Sequence, residues 1–259
     1  MTLPRLMVAP NGATKSKADH PALPIALEEI TAEARACLAA GAGALHLHLR
    51  DDAGGHLLDS GAYAEALTHL AAEVPGLALQ ITTEAAGLYH PAHQRYVALH
   101  SGATMVSVAL RENIRDSGTA ARRFYECCAE RGIAVQHILY DRADAEVLTH
   151  VLPPALLRDR GLQLLFVLGR YTAGQQSDPG MLAPFLDWVA AEGLSPDWAV
   201  CAFGQGETAC LVAAAQRGGK CRVGFENALV HPDGQRAGSN AERVTEVTAA
   251  LAGAGLAAG

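Results

Sequence analysis

The chain has 259 residues, half of them hydrophobic and 5% aromatic, with a formal net charge of −7. That length suits one large core or two small ones. The acidic balance without a basic cluster argues against nucleic acid, and no apolar run approaches the ~18 residues that span a bilayer, so neither nucleic acid nor membrane is expected as a partner.

Strand-like and helix-like segments alternate from the start. The first strand is expected at residues 6–10. The loop that follows, Asn11-Gly12-Ala13-Thr14-Lys15-Ser16-Lys17-Ala18-Asp19-His20-Pro21, exceeds the roughly 2–6 residues such connections usually take. It has a function, or it plugs one end of a barrel. A helix over residues 26–40 stops at Gly41.

The next stretch, Ala44-Leu45-His46-Leu47-His48-Leu49-Arg50-Asp51, alternates without a fault. Period two means a strand, with Leu45, Leu47 and Leu49 on one face and Ala44, His46, His48 and Arg50 on the other. The leucine face packs under helices. The two imidazoles lie about 7 Å apart at Cβ, from a rise of ~3.3 Å per residue, and both rings can turn onto one metal ion. A polar inward face costs stability unless it is paired or coordinated.

A Gly54-Gly55 turn and a helix over 61–74 follow. The third strand covers 77–83, with Gln80 and Thr82, then Glu84, on one face. After a helix near 92–99 the fourth strand covers 104–110, with Ser107, Ala109 and Arg111 on one face. A helix over 119–131 leads to a fifth strand at 135–140, then a helix interrupted by Pro153-Pro154. The sixth strand, 162–168, runs into Gly169-Arg170-Tyr171, a loop at 172–177 and a helix over 179–191. The seventh, 198–203, ends in Gly204-Gln205-Gly206, and a helix over 207–217 stops at Gly218-Gly219. The eighth covers 221–226, and a helix over 240–251, capped by Ser239 or Asn240, closes the chain.

Eight strands alternating with helices, and no linker, repeat or low-complexity segment, predict a single-domain (β/α)8 barrel over residues 1–259. No Gly-x-Gly-x-x-Gly follows the first strand and no Walker lysine motif occurs, which argues against a nucleotide-binding open sheet. Met1-Thr2-Leu3-Pro4-Arg5 carries no signal-peptide pattern. The six cysteines, at 37, 127, 128, 201, 210 and 221, show no Cys-x-x-Cys spacing and read as reduced thiols of a cytoplasmic protein.

In such a barrel the chemistry lies at the C-terminal ends of the strands, where His46, His48, Arg50, Asp51, Thr82, Thr83, Glu84, Ser107, Arg111, Arg222 and Glu226 collect. Strand eight closes against strand one, so Glu226 is the natural third metal ligand, or it forms an ion pair with Arg222 or Arg50. Two histidines and one carboxylate leave positions open for substrate, and two imidazoles favour zinc or a later first-row metal. Gly224 either leaves room for substrate or serves barrel packing.

These residues resemble the β-keto acid cleavage enzyme family. The likeness rests on Asn11-Gly12-Ala13, Lys17-Ala18-Asp19 through Ala22-Leu23-Pro24-Ile25, Ala40-Gly41-Ala42, His46-Leu47-His48-Leu49-Arg50-Asp51, Gln80-Ile81-Thr82-Thr83, Phe166-Val167-Leu168-Gly169, Arg222-Val223-Gly224-Phe225-Glu226-Asn227 and Ser239-Asn240-Ala241. It implies a zinc-dependent homo-oligomeric barrel enzyme, a dimer or tetramer, that converts a β-keto acid and acetyl-CoA into acetoacetate and a new acyl-CoA. By that likeness His46, His48 and Glu226 bind zinc, Arg222 and Thr82 support the catalytic centre, and Ser107 contacts substrate beside Thr14 and Arg50.

Three positions depart from the family pattern. Asn227 stands where an aspartate commonly acts as base, Thr14 where the founding member has glutamate, and Glu84 where many members have glycine. An amide takes no proton at neutral pH, so Glu84 is the expected replacement base and Asp51 the reserve; alternatively Glu84 turns outward to Arg111 or caps the next helix. Tyr140, Arg170, Tyr171 and Gln205 are candidates for the substrate's side-chain pocket. Two other functions fit less of the pattern: a metal-dependent hydrolase, which would use His137 on strand five, and a catalytically retired barrel that binds a small acid.

Overall fold

Alternation along each strand sorts side chains onto two faces, and the computed structural model, which describes residues 2–256, shows what each face packs against. Eight parallel strands close a barrel in chain order: β1 (Leu6–Val8), β2 (Ala44–Leu47), β3 (Ala78–Thr82), β4 (Met105–Ala109), β5 (Ala134–Leu139), β6 (Gln163–Leu168), β7 (Asp197–Ala202) and β8 (Lys220–Val223). Outward residues such as Leu45, Leu47, Val106, Val108, Leu164, Phe166, Val200 and Val223 pack under the helices, against Ile30, Tyr63, Val97, Phe124, Leu148, Trp188, Leu211 and Val244. Inward, Met7, Ala44, Met105, Leu165, Ala199 and Cys201 fill the barrel. Among the described residues no helix is long and apolar enough to cross a membrane, and all six cysteines are free thiols, five of them buried.

Register then places a polar tier inside. His46 lies opposite Gln80, Thr82 opposite Ser107, Ser107 opposite Gln136, and Gln136 opposite Gln163. His137 falls on the other parity. It is buried outside the barrel with its ring 4.7 Å from that of Tyr125 on the helix Gly118–Glu130, which removes the histidine a hydrolase site would need.

The main departures from the expected boundaries lie at strand C-termini. The histidine strand does not run to Asp51. It breaks at His48, and Leu49–Arg50 pairs antiparallel with His56–Leu57 in a small hairpin. Strand four ends at Ala109, and Leu110–Asn113 is a helical turn, so Arg111 is not an inward strand residue. It binds Asp141 and Asp144 instead. Strand eight ends at Val223 because Gly224 adopts φ 140°, a conformation that L side chains rarely take. Helix starts at the same end carry side-chain caps: Asp59, Ser117, Asp141 and Ser239 accept from Ala62, Ala120, Asp144 and Glu242 backbone N–H groups.

Gly224 serves packing and not substrate space. A Cβ there would lie 2.4 Å from the Ala9 carbonyl oxygen and 3.0 Å from Asn240 Oδ1. Gly224→Ala is therefore expected to destabilise the protein by roughly 3 kcal/mol or more, read as a lowered midpoint in urea denaturation. A midpoint within error of wild type would contradict this account.

Candidate active site

The polar tier opens into a cavity of ≈ 310 Å³ at the C-terminal mouth, lined by His46, His48, Thr82, Glu84, Arg222 and Glu226, and roofed by the loop after β1. Three donor atoms converge there. His46 Nε2 and His48 Nε2 are 3.1 Å apart, and Glu226 Oε2 lies 3.8 Å and 3.6 Å from them. Ligands on a tetrahedral ion with bonds of ~2.0–2.1 Å sit about 3.3 Å from one another, so this spacing fits a first-row divalent cation. Glu226 Oε2 is buried with no hydrogen-bond partner, an arrangement that a cation satisfies and an empty apolar pocket does not.

The surroundings prepare each ligand. Gln80 Oε1 accepts from His46 Nδ1 at 2.8 Å, and Gln80 Nε2 donates to Gln136 Oε1 at 3.0 Å. A proton fixed on Nδ1 leaves the Nε2 lone pair pointing inward. Burial, and then the Arg222 charge, lowers His46 to about 4, and burial likewise drives His48 well below its ordinary value. Both rings are thus neutral donors at neutral pH. Burial opposes ionisation of Glu226, but the charges around it, that of Arg222 foremost, outweigh it and bring the carboxyl down to about 2.

Glu226 is held on every side. Arg222 Nη2 donates to Oε1 at 3.1 Å and to Cys201 Sγ at 3.5 Å, so the ion pair foreseen as an alternative exists alongside the histidine contacts. Lys15 Nζ donates to the Glu226 carbonyl at 2.5 Å. Gly12, at φ 64°, lets the roof approach so closely that a Cβ would lie 2.7 Å from Glu226 Cγ. Beneath the loop, Glu207 Oε1 accepts from Gly224 N and Asn227 Nδ2, while Oε2 accepts from Arg243 Nη2 at 2.7 Å. Asn227 also donates to the Arg222 carbonyl. Its amide therefore faces Glu207 and is not among the groups lining the cavity, contrary to the catalytic position expected of it.

Glu84 does face the cavity, although β3 ends two residues earlier. Its backbone N–H donates to Thr82 Oγ1 at 2.9 Å and its carbonyl accepts from His56 Nε2 at 2.8 Å. The flanking residues are pinned as well: Thr83 Oγ1 donates to the Ser107 carbonyl, and Ala85 N to Glu112 Oε2. The side chain turns toward the histidines, with Oε2 4.0 Å from His48 Nδ1. Burial, followed by the charges of Glu226 and Glu112, raises Glu84 to about 7. Neither alternative contact occurs, since Arg111 is taken by Asp141 and Asp144.

Other expected residues are scattered. Thr14 lines the cavity and is exposed. Ser107 Oγ is buried without a partner, one register step from Thr82. Arg50 points away from the cavity and donates to the carbonyls of Gly12, Lys15 and Gly54, so it braces the roof. Asp51 is exposed and accepts from Ala53 and Gly55 N–H groups in the hairpin turn, which removes the reserve base. Tyr140 and Arg170 line the cavity. Tyr171 is 68% exposed with its ring beside Tyr140, and Gln205 reaches toward Gly234 instead. Sequence reasoning missed Lys15, His56, Glu207 and Arg243. Only Lys15 had a signal, its place in an overlong loop.

The family described as beta-keto acid cleavage enzyme has a model that matches residues 5–258. A curated relative, the 3-keto-5-aminohexanoate cleavage enzyme of Fusobacterium nucleatum subsp. nucleatum, is 25% identical over 91% of this chain and 86% of its own length. The 3-oxoadipate:acetyl-CoA acetyltransferase of Cupriavidus necator is 26% identical over 96% and 89%. Among solved structures, a ternary complex of ObcA with a C4-CoA adduct and oxalate superposes with a TM-score of 0.72 at 19% identity, covering 92% of this chain and 65% of that one. This chain thus spans somewhat less than two thirds of ObcA. The type I 3-dehydroquinate dehydratase of Clostridium difficile, with a TM-score of 0.61 at 9% identity over 98% and 94%, shares the barrel.

The donor set predicts one divalent ion per chain. Saturating Zn²⁺ at ~100 times its dissociation constant is expected to stabilise the metal-stripped protein by about 2.7 kcal/mol, read by calorimetry. His46→Ala should stay folded, bind no metal in elemental analysis and show no such stabilisation. Full metal occupancy in that variant would exclude His46 as a ligand.

Proposed function

We propose that this chain, which belongs to the beta-keto acid cleavage enzyme family, condenses a β-keto acid with acetyl-CoA and splits the product into acetoacetate and a new acyl-CoA. The names of both curated relatives refer to keto-acid substrates, one of them with acetyl-CoA. The observation that carries the reading is one cavity in which three metal-ligand atoms, an under-bonded arginine and a carboxyl raised to about 7 face each other. A zinc ion held by His46, His48 and Glu226 would supply a Lewis acid for the oxygens of the keto acid.

The remaining work falls to the chain's own side chains. Glu84 takes a proton from the methylene between the keto and carboxylate groups. The resulting carbanion attacks the thioester carbonyl of acetyl-CoA, and coenzyme A leaves as thiolate. That thiolate adds to the original ketone, and the bond between that carbon and the former methylene carbon breaks. The acyl part departs as a new thioester, and the other fragment is the enolate of acetoacetate, which recovers the proton from Glu84. A carboxyl near 7 is suited to both transfers. Thr82 and His56 fix the segment that carries it.

Arg222 has Nε and Nη1 buried without a hydrogen-bond partner. Guanidinium N–H groups left open at a cavity wall are placed for substrate carboxylate or for oxyanion charge, in a water-poor setting where such contacts are strong. Asn227 acts as a positioning residue through Glu207, Thr14 offers a hydroxyl at the cavity lining, and the buried Ser107 hydroxyl belongs to the tier beside Thr82. Acetyl-CoA enters from the open mouth.

The test is acyl-CoA formation from a keto-acid panel with acetyl-CoA. Arg222→Lys should lower kcat about 10²-fold with metal retained, because an ammonium group cannot give a planar two-point contact. Near-normal turnover would remove Arg222 from the mechanism. Glu84→Gln should lower kcat by at least ~10²-fold, again with metal retained, and an active Glu84→Gln enzyme would end its assignment as base. Asn227→Asp is not expected to rescue it, since the new carboxylate would face Glu207.

A further inference from the structure

The cavity holds two cations that the reaction above does not use. Lys15 leaves the roof and Arg170 leaves the C-terminal end of β6, and both line the cavity that contains the metal ligands. They converge on one aromatic ring: Lys15 Nζ is 5.8 Å and Arg170 Cζ 5.2 Å from the centroid of Phe203. Among the described residues Lys15 Nζ makes one hydrogen bond, to the Glu226 carbonyl. The Arg170 guanidinium has, among the described residues, no hydrogen bond and no ion pair; it lies over the faces of Phe203 and Tyr171, and the carboxyl that feels its charge is Glu84, whose own ionisation burial opposes.

This arrangement is unfavourable without an anion. Two like charges over one ring repel each other, and an aromatic face leaves the five guanidinium N–H donors free for an anion. The cavity's own carboxylates are otherwise engaged. Glu226 is bound by Arg222 and faces the histidines, Glu84 faces His48, and Asp19 accepts from Ser16. Arg111, the nearby arginine that stacks on Tyr140 and Tyr171, is fully paired and not part of the subsite.

We propose that Arg170 and Lys15, over Phe203, form an anion subsite for a second carboxylate on the keto acid, so that the substrate class is a β-keto dicarboxylate. Phe203 holds both cations from below, and their N–H groups meet a planar carboxylate on the side chain of the substrate. Arg170 supplies a two-point contact and Lys15 a point charge. The inference rests on the functional reading above for the word substrate, but the anion preference can be measured without turnover.

The experiment uses the metal-loaded protein and two pairs of probes of equal length. 3-Oxoadipate and 3-oxohexanoate differ only in a terminal carboxylate against a methyl, and adipate and hexanoate form the matching inert pair. Wild type is expected to prefer 3-oxoadipate in kcat/KM by roughly 10–100-fold, the range of a charge-assisted contact. Arg170→Met, which keeps the contact with Phe203, should bring that ratio close to one while KM for acetyl-CoA stays constant. Calorimetric binding should show the same preference for adipate over hexanoate and its loss in Arg170→Met.

A wild type that treats both keto acids alike overturns the subsite and leaves the reaction intact. So does an Arg170→Met enzyme that loses both keto acids equally with a raised KM for acetyl-CoA, which would assign the cations to coenzyme A phosphates. If no keto acid turns over, the reaction fails on its own account and calorimetry still decides: equal binding of adipate and hexanoate overturns the subsite, and an Arg170-dependent preference supports it.

Discussion

The structure depends on keeping one carboxylate, that of Glu226, charged in the mouth of the barrel. Burial alone would protonate it, and the surrounding cations reverse that preference. Its two oxygens are divided: Oε1 belongs to Arg222, and Oε2 is left to the space between two neutral imidazoles. A buried charge of this kind is tolerated only when its geometry is enforced. The enforcement reaches outward in three directions, through Gly12 and Lys15 in the roof, Arg222 in β8, and the Glu207–Arg243 pair under the loop.

That last pair holds the loop after Gly224 in place, together with two bonds to its backbone, from Glu226 N to the Ala9 carbonyl and from Phe225 N to Asn240 Oδ1. Glu207 and Arg243 are fully buried. Glu207 receives Gly224 N and Asn227 Nδ2 on one oxygen and Arg243 on the other, so the ligand-bearing turn is bonded to the helices Glu207–Ala215 and Asn240–Gly253 behind it. Arg243 also contacts Glu246. Removing one member of such a pair leaves the other charge unpaired in a low-dielectric setting, which is far more costly than the pair is stabilising. The role of Asn227 follows from this: an aspartate at the same position would meet the Glu207 carboxyl.

Glu84 illustrates the converse arrangement. It is mounted on a non-strand segment, with Thr82, His56, Gln94 and Glu112 each engaging the backbone of residues 83–85 and the Thr83 hydroxyl donating to the Ser107 carbonyl. Fixing the main chain frees the side chain to reach into the cavity, where burial, and then the neighbouring carboxyls, raise its affinity for a proton. Glu226 and Glu84 thus face the two nitrogens of the His48 ring and are driven in opposite directions, one toward permanent charge and the other toward neutrality. Divergent environments for two carboxyls in one cavity are what separates a ligand from an acid–base group.

Strand parity is a local property, and so the sequence by itself determined the barrel, its two packing faces and the inward set His46, Gln80, Thr82, Ser107 and Arg222. Alternation cannot slip by one residue without exchanging the leucine face for the imidazole face. Past the last ladder hydrogen bond that rule lapses, and only the tertiary structure decided where side chains point. Arg50, in phase with the histidines on paper, and its neighbour Asp51 are carried into a hairpin and bind backbone groups. Arg111 sits on a helical turn that Asp141 and Asp144 claim. Asn227 turns inward to a glutamate on the preceding helix. The meeting of Lys15 with Arg170, and of Glu207 with Arg243, joins residues far apart in the chain and on different elements. No spacing encodes such encounters, because they arise only when the closing of β8 on β1 brings loops and helices from both ends of the chain to the same rim.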